Sequence, residues 1–332
     1  MKNILIISDG IPGHFNQSKG IASILGKRHI ARICIVDLKF KSHQLRRLIT
    51  VLSRLFMRIP NKFTARLTSS LYSSIDTSEF DLVVAAGGKT AAISAALKIL
   101  NDIPLIQLGS PRGLHSSLFN ALVTAERYHE DSSNVIASIT PNIYSPEVCV
   151  SAAKEKGLKE HLLFLIGGEG IGYSYQKKEW DSLIAVIKNF YKETNLPITI
   201  VTSRRSDPEV EKKLQSDLHN IPLEYSAWFH DGAKNLNLGA LFGSAKNIFV
   251  TEDSAMMISE SISSGKPVTT LFPANIKSPI RYKAHIQKYL DLGLITRESI
   301  EDFPIKEIEN SLFNVQNHIS KLCDQLEERI LW

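Results

Sequence analysis

Near the start of the chain, Ser8-Asp9-Gly10-Ile11-Pro12-Gly13-His14-Phe15-Asn16-Gln17 gathers a carboxylate, an imidazole and two amides around two glycines and a proline. An imidazole near a carboxylate can remove a proton from a hydroxyl, so Asp9 and His14 are the candidate catalytic bases. The bland alternative is that Asp9 caps the loop and His14 is a solvated surface residue. Gly13, Asn16 and Gln17 are candidate acceptor contacts in the same loop.

Three further loops carry groups suited to phosphate. Ala86-Gly87-Gly88-Lys89-Thr90 lacks the four-residue spacing of a Walker loop. Gly87, Gly88 and Lys89 can still cradle an acceptor or a phosphate, or the segment is a tight strand-to-helix turn. Residues 166–173 hold Gly167, Gly168 and Glu169 where a glycine-rich loop would approach a pyrophosphate, but not in the register of a nicotinamide-binding fingerprint. In 250–260, Thr251, Asp253 and Ser254 offer capping oxygens and Ala255 opens a helix whose N-terminal amides suit phosphate. Glu260, about two turns on, can accept both hydroxyls of a ribose, and Gly265-Lys266-Pro267 ends the helix. Thr202, Ser203 and Arg204 follow another apolar run, where Arg204 or Arg205 can neutralise phosphate.

These loops follow apolar runs that read as strands, at 3–8, 33–36, 82–86, 104–108 and 121–123, then at 162–166, 198–202, 247–251 and 268–272. Segments of helical periodicity separate them, at 17–26, 91–100, 179–191, 208–218 and 254–263. Continuous apolar runs alternating with helices predict parallel sheets covered on both faces. The pattern weakens beyond 140, through a Lys-rich stretch at 152–160, and then a second series opens. The expected organisation is an acceptor domain at 1–155, a donor domain at 156–310 and a helix at 311–332 that packs on either. Ligands of such sheets bind beyond the carboxyl ends of the strands, and a cleft between two such domains suits two substrates.

Taken together, the loops resemble the mitochondrial fission (elongated-mitochondria) family. The resemblance rests on Ser8-Asp9-Gly10-x-Pro12-Gly13-His14-x-Asn16-Gln17-Ser18, on Thr202-Ser203-Arg204-Arg205, and on Val250-Thr251-Glu252-Asp253-Ser254 through Ser259-Glu260 and Gly265-Lys266-Pro267. It runs from about residue 4 to about residue 275. It implies an α/β GT-B fold, two Rossmann-like doubly wound domains facing across a cleft, and a distant similarity to the enzyme that adds N-acetylglucosamine to lipid I. By that similarity Glu260 holds the ribose of a nucleotide sugar. Glu252, Met256 and Met257 depart from the family's small or differently polar residues, and the loop at 229–238 is only loosely similar to its counterpart.

The implied activity is metal-independent, with inversion at the anomeric carbon the simpler outcome: a sugar moves from a nucleotide-sugar donor to an envelope glycan, such as lipopolysaccharide, or to a lipid-linked acceptor. No cofactor is expected besides the nucleotide-sugar substrate. The alternatives are a non-catalytic scaffold and a nucleotide-sugar epimerase.

Composition narrows the setting. The 332 residues carry 39 Lys+Arg against 34 Asp+Glu, and 43% are hydrophobic, values of an ordinary globular chain. Three scattered cysteines support neither a disulfide scaffold nor a cysteine-based zinc site. No apolar run approaches the roughly 18 residues of a membrane span, and the start lacks a signal-peptide pattern, so a reduced, cytoplasmic protein is expected. Residues 38–75, however, contain Lys39, Lys41, Arg46, Arg47, Arg54, Arg58, Lys62 and Arg66 and no acidic residue. Apolar residues recur among them at helical spacing. This predicts either a core-facing helix with a basic outer face or peripheral contact with an anionic membrane at its inner surface. Nucleic acid is not expected, because stacking aromatics and a recognition motif are both missing.

Overall fold

The computed structural model describes every residue except 43, 234–235 and 306–310. One position of the basic segment, part of the 229–238 loop and the predicted domain limit at 310 therefore lie outside the described residues. The chain divides into two compact units, Met1–Ile143 with His318–Trp332, and Tyr144–Asn317.

The first unit runs β1 (Lys2–Ser8), α1 (Pro12–Gly26), β2 (Ala31–Asp37), α2 (Arg46–Phe56), α3 (Lys62–Ser70), β3 (Leu82–Ala86), α4 (Ala91–Asn101), β4 (Leu105–Leu108), β5 (Ala121–Thr124) and β6 (Asn134–Ile136). Its six strands lie in the order β2-β1-β3-β4-β5-β6, all parallel. Apart from the edge strand β2, where Ile33 and Ile35 are exposed, the apolar runs predicted as strands are buried because helices cover both faces. Leu5, Ile7, Val83 and Ala85 pack with Ile49, Met57, Ala65 and Leu97 on one side. Ile4, Ile6, Leu82 and Val84 pack with Ile21, Leu25, Leu322 and Leu326 on the other. Each fully buried Leu or Ile contributes about 1.5–3 kcal/mol over leaving it in water.

The second unit runs α5 (Pro146–Lys156), β7 (His161–Ile166), β8 (Tyr173–Ser174), α6 (Lys177–Thr194), β9 (Ile198–Thr202), α7 (Pro208–Asp217), β10 (Leu223–Ala227), α8 (Leu238–Ser244), β11 (Ala245–Thr251), α9 (Ala255–Ser263), β12 (Val268–Phe272), β13 (Asn275–Ile276), α10 (Ile280–Asp291) and β14 (Thr296–Ser299). Its main sheet is again parallel, in the order β10-β9-β7-β11-β12-β14, which is the 3-2-1-4-5-6 order of a dinucleotide-binding fold. β8 and β13 form a small antiparallel pair.

The last helix, α11 (Ser311–Ile330), has its residues from His318 onward in the first unit. There Leu322, Cys323, Leu326 and Ile330 join the core around α1, and Arg28 bonds Asp324 at 2.6 Å and Glu327 at 2.8 Å. The predicted boundary at 155 moves to 143, because α5 packs on α8 rather than on the first sheet: a Cβ on Gly243 would strike the Cys149 carbonyl. The Lys-rich stretch where the pattern weakens is thus helical as far as Lys156, in a helix capped by Ser145 and ended by Gly157 in the left-handed conformation. The two six-stranded Rossmann-like units agree with the predicted GT-B class.

Candidate functional site

In each sheet the strand order reverses once, and the loops that leave the sheet there hold the predicted chemistry. In the first unit the reversal lies between β1 and β3, where Ile7 is paired with Ala85. Two residues further on, Asp9 and Gly87 leave the sheet at the same level.

The predicted loop is shorter than the sequence suggests. Pro12 is the first residue of α1, a position where its missing N–H costs nothing, so Gly13, His14, Asn16 and Gln17 belong to the opening turns of a helix. The helical start turns His14 back onto Asp9. Nδ1 of His14 lies 3.0 Å from Oδ2 and 3.2 Å from Oδ1 of Asp9. The Asp9 side chain is only 1% exposed and that of His14 33%. Burial raises the Asp9 pKa, but the His14 hydrogen bond and charge, the Ile11 N–H and the Lys89 charge together hold it below the ordinary value.

Gly87 completes this arrangement. Its φ is +85°, and a Cβ there would strike the His14 ring. Its carbonyl is held by the Gln107 amide at 3.1 Å and the Thr90 hydroxyl at 2.9 Å. Gln107, buried on β4, was not singled out in the sequence, where a polar residue in an apolar strand was its one signal. Gly87→Ala is expected to displace His14 with circular dichroism unchanged and, if His14 serves as the base expected from the sequence, to lower turnover by about 10²-fold. Activity equal to wild type would show that the contact does not position His14.

In the second unit the order reverses between β7 and β11, paired through Leu165 and Val250. Gly167 donates its N–H to Oγ1 of Thr251 at 2.7 Å, and that hydroxyl donates to Asp253 at 2.7 Å. A Cβ on Gly167 would overlap the Asp253 carboxylate. Arg205 reaches the Asp253 carbonyl and, at 3.3 Å, its carboxylate. Burial pushes the Asp253 pKa up, against the Thr251 hydroxyl and the Arg205 charge. Asp253 is therefore the pin of the glycine-rich loop, its oxygens facing inward.

Other predicted donor contacts take definite places. Thr202 is buried and its hydroxyl serves Glu211 and the Phe229 N–H, at 2.8 Å for the latter, so it braces the loop after β10. Ser203 accepts the Arg205 N–H at 3.2 Å and shapes the turn. Arg204 is exposed, whereas Arg205 is the arginine built into the knot. Ser254 caps α9, accepting from the Met257 N–H, and Ala255 opens its first turn. Glu260, on the second turn, is only 9% exposed, and its charge helps raise the pKa of the buried Tyr144 hydroxyl after burial itself. Glu252, the departure from the family pattern, has a structural task. It is fully buried and takes a bidentate ion pair from Arg297 on β14, at 2.8 and 3.1 Å, with the Thr270 hydroxyl at 2.8 Å.

A pocket of about 590 Å³ borders the knot, lined by Gly168, Glu169, Arg205, Tyr175, Trp180 and Lys177 among others. Its size falls in the range of small-molecule sites. Among the described residues no group of three or more His, Cys, Asp or Glu side chains could hold a metal ion.

Residues 12–310 match the family described as mitochondrial fission ELM1. Uncharacterized protein RP120 of Rickettsia prowazekii is 24% identical over 284 residues, covering 73% of this chain and 79% of its own. Among solved structures, UDP-GlcNAc 2-epimerase from Methanocaldococcus jannaschii aligns with a TM-score of 0.53 at 11% identity, covering 98% of this chain and 93% of that one. ADP-heptose lps heptosyltransferase II of E. coli aligns with a TM-score of 0.47 at 13% identity, covering 98% and 100%. With the match running from Pro12 through the arginine turn and the α9 motif, the chain belongs to the mitochondrial fission ELM1 family.

Proposed function

We propose that this protein is a glycosyltransferase that moves a sugar from a nucleotide-sugar donor to a hydroxyl of an envelope glycan or lipid-linked acceptor. The observation that carries this reading is the Asp9–His14 pair at the reversal point of a nucleotide-type sheet. With Asp9 ionised and accepting the Nδ1 proton, Nε2 of His14 is left as the acceptor. His14 then takes the proton of the acceptor hydroxyl. The oxygen attacks the anomeric carbon, and the bond from that carbon to the diphosphate breaks, with inversion. His14 is thus the base and Asp9 its positioning partner.

The second unit would receive the nucleotide. Amides of the pinned Gly167–Gly168 loop and of the α9 N-terminus, with Glu169, Arg204 and Arg205 at the edge, would meet the diphosphate as it departs. Glu260 would hold the ribose. Gly13, Asn16, Gln17, Gly87, Gly88 and Lys89 would contact the acceptor. The reaction would run in the cytoplasm, at the inner face of a membrane.

Glu260→Ala is expected to weaken nucleotide binding by about 1–3 kcal/mol, the range for losing hydrogen bonds to a charged group, without unfolding the protein. Calorimetric titration reads this directly, and unchanged affinity would remove Glu260 from the site. The likeness to an epimerase favours a second reading, conversion of the nucleotide sugar itself. Product analysis separates the two. Donor consumed only with acceptor present supports transfer, an epimer formed without acceptor supports epimerisation, and neither product leaves a scaffold.

A further inference from the structure

Three cations meet at the Gly87–Gly88 loop, and a fourth, Arg58, lies beside Gly113, next in sequence to one of them. Arg54 on α2 donates Nη2 to the Gly88 carbonyl at 3.0 Å, and its buried Nε has no hydrogen-bond partner. The Arg112 side chain crosses the space a Gly88 Cβ would need, with Nε 2.9 Å from that position. The Arg58 guanidinium lies 3.7 Å from the corresponding point on Gly113. Lys89 is exposed, close enough for its charge to act on Asp9. Among the described residues no carboxylate forms a salt bridge with any of the four. Burial and then the neighbouring Arg112 charge lower the Arg54 pKa. Like charges held together around a carbonyl are a poor use of arginine unless an anion joins them.

The helix that carries Arg54 has a second unusual feature. Its buried face is narrow, with Ile49 and Ser53 its only fully covered residues. Its wider apolar stripe points to solvent: Leu48 is 52% exposed, Val51 51% and Leu55 48%, continued by Ile59 at 72% and by Phe63 at 68%. Arg47 and Arg54 fall along one flank of that stripe at helical spacing, Arg58 follows in the turn after the helix, and no acidic residue occurs between 38 and 75. A stripe of this kind beside an arginine cluster has the chemistry of an anionic amphiphile: apolar chain along α2, phosphate at the loop.

We propose that the Gly87–Gly88 loop with Arg54, Arg58, Arg112 and Lys89 is a phosphate site, and that the acceptor is a phosphate-bearing lipid whose apolar part lies on the exposed face of α2. The proposal rests on the transferase reading for the word acceptor, but not for the binding itself. The phosphate site adjoins His14, so a hydroxyl near that phosphate is the one the base would meet.

The test is cosedimentation of the full-length protein with vesicles of phosphatidylcholine and phosphatidic acid in equal parts, against vesicles of phosphatidylcholine alone. The wild type is expected to bind the first and not the second. Removing two charges, in Arg58→Gln/Arg112→Gln, should weaken binding roughly thirtyfold. Leu48→Ser/Leu55→Ser should weaken it comparably, and inorganic pyrophosphate should compete with the vesicles. Both pairs are exposed, so a folded protein is expected, and an unchanged circular dichroism spectrum and melting temperature verify it. No binding to the acidic vesicles, or wild-type binding by the arginine variant, overturns the proposal. Loss in the arginine variant with full binding by the leucine variant assigns a water-soluble phosphate and overturns the lipid half. Lipid binding that persists in a protein found inactive as a transferase leaves the site standing and removes the transferase reading alone.

Discussion

His14→Ala is expected to lower the rate of sugar transfer by about 10²–10⁴-fold with nucleotide affinity unchanged, the signature of a lost general base. The expectation follows from geometry. The Asp9 carboxylate, 3.0 Å from Nδ1 and almost wholly covered, fixes one ring nitrogen and leaves the other for the acceptor. Asp9→Asn keeps the shape but can no longer hold an Nδ1 proton by charge, and should fall by about 10²-fold or more. Both variants should retain the melting temperature of the second unit, which contains neither residue. If His14→Ala turns over as fast as wild type, the pair is structural and the base lies elsewhere.

Asp253→Ala is expected to be the most damaging single change in the second unit. The carboxylate gathers the Thr251 hydroxyl and the Arg205 guanidinium at one buried point, hard against Gly167. Removing one partner of such a pair leaves the others unsatisfied and costs about 3–5 kcal/mol. For a unit of this size that lowers the melting temperature by about 10 °C. Because the same carboxylate seats Gly167, nucleotide affinity should fall as well, even where the protein remains folded. Gly167→Ala, which places a methyl group into the Asp253 carboxylate, should reproduce the loss of affinity. A melting temperature within about 2 °C of wild type for Asp253→Ala would show that the knot is not a structural pin.

Much of the fold was legible because a parallel sheet buried on both faces needs unbroken apolar runs, and NILIIS, LVVAA, HLLFLI and NIFVT are such runs. The strands β6, β10 and β14 escaped for the same physical reason. Two of them, LEYSA and TRES, are polar edge strands, and the third is only Asn134–Ile136. Pro12 was visible as a loop-shaping residue, yet proline at a first helical position is equally a helix start, and that choice decides where His14 points.

The site loops were readable one at a time from their glycines, carboxylates and arginines. Their partnerships were not, since strand register brings Gly167 to Asp253 and Gly87 to His14 across long stretches of chain. Arg205 and Arg204 are indistinguishable in sequence, and only the fold turns the first onto Asp253. The basic segment shows the same limit in another form. Periodicity finds an apolar stripe on α2, but an apolar stripe reads identically whether it faces a core or solvent.

The central claim is that the second unit binds a nucleoside diphosphate through the Asp253-pinned loop. The most direct measurement is a thermal-denaturation titration of the full-length protein with UDP, GDP, ADP and CDP at millimolar concentration, alongside Asp253→Ala. One of the nucleotides should raise the wild-type melting temperature in a saturable way, stabilising by about 2.7 kcal/mol when present at a hundred times its dissociation constant, with no such response in the variant. A wild-type transition that no nucleotide moves would contradict the claim.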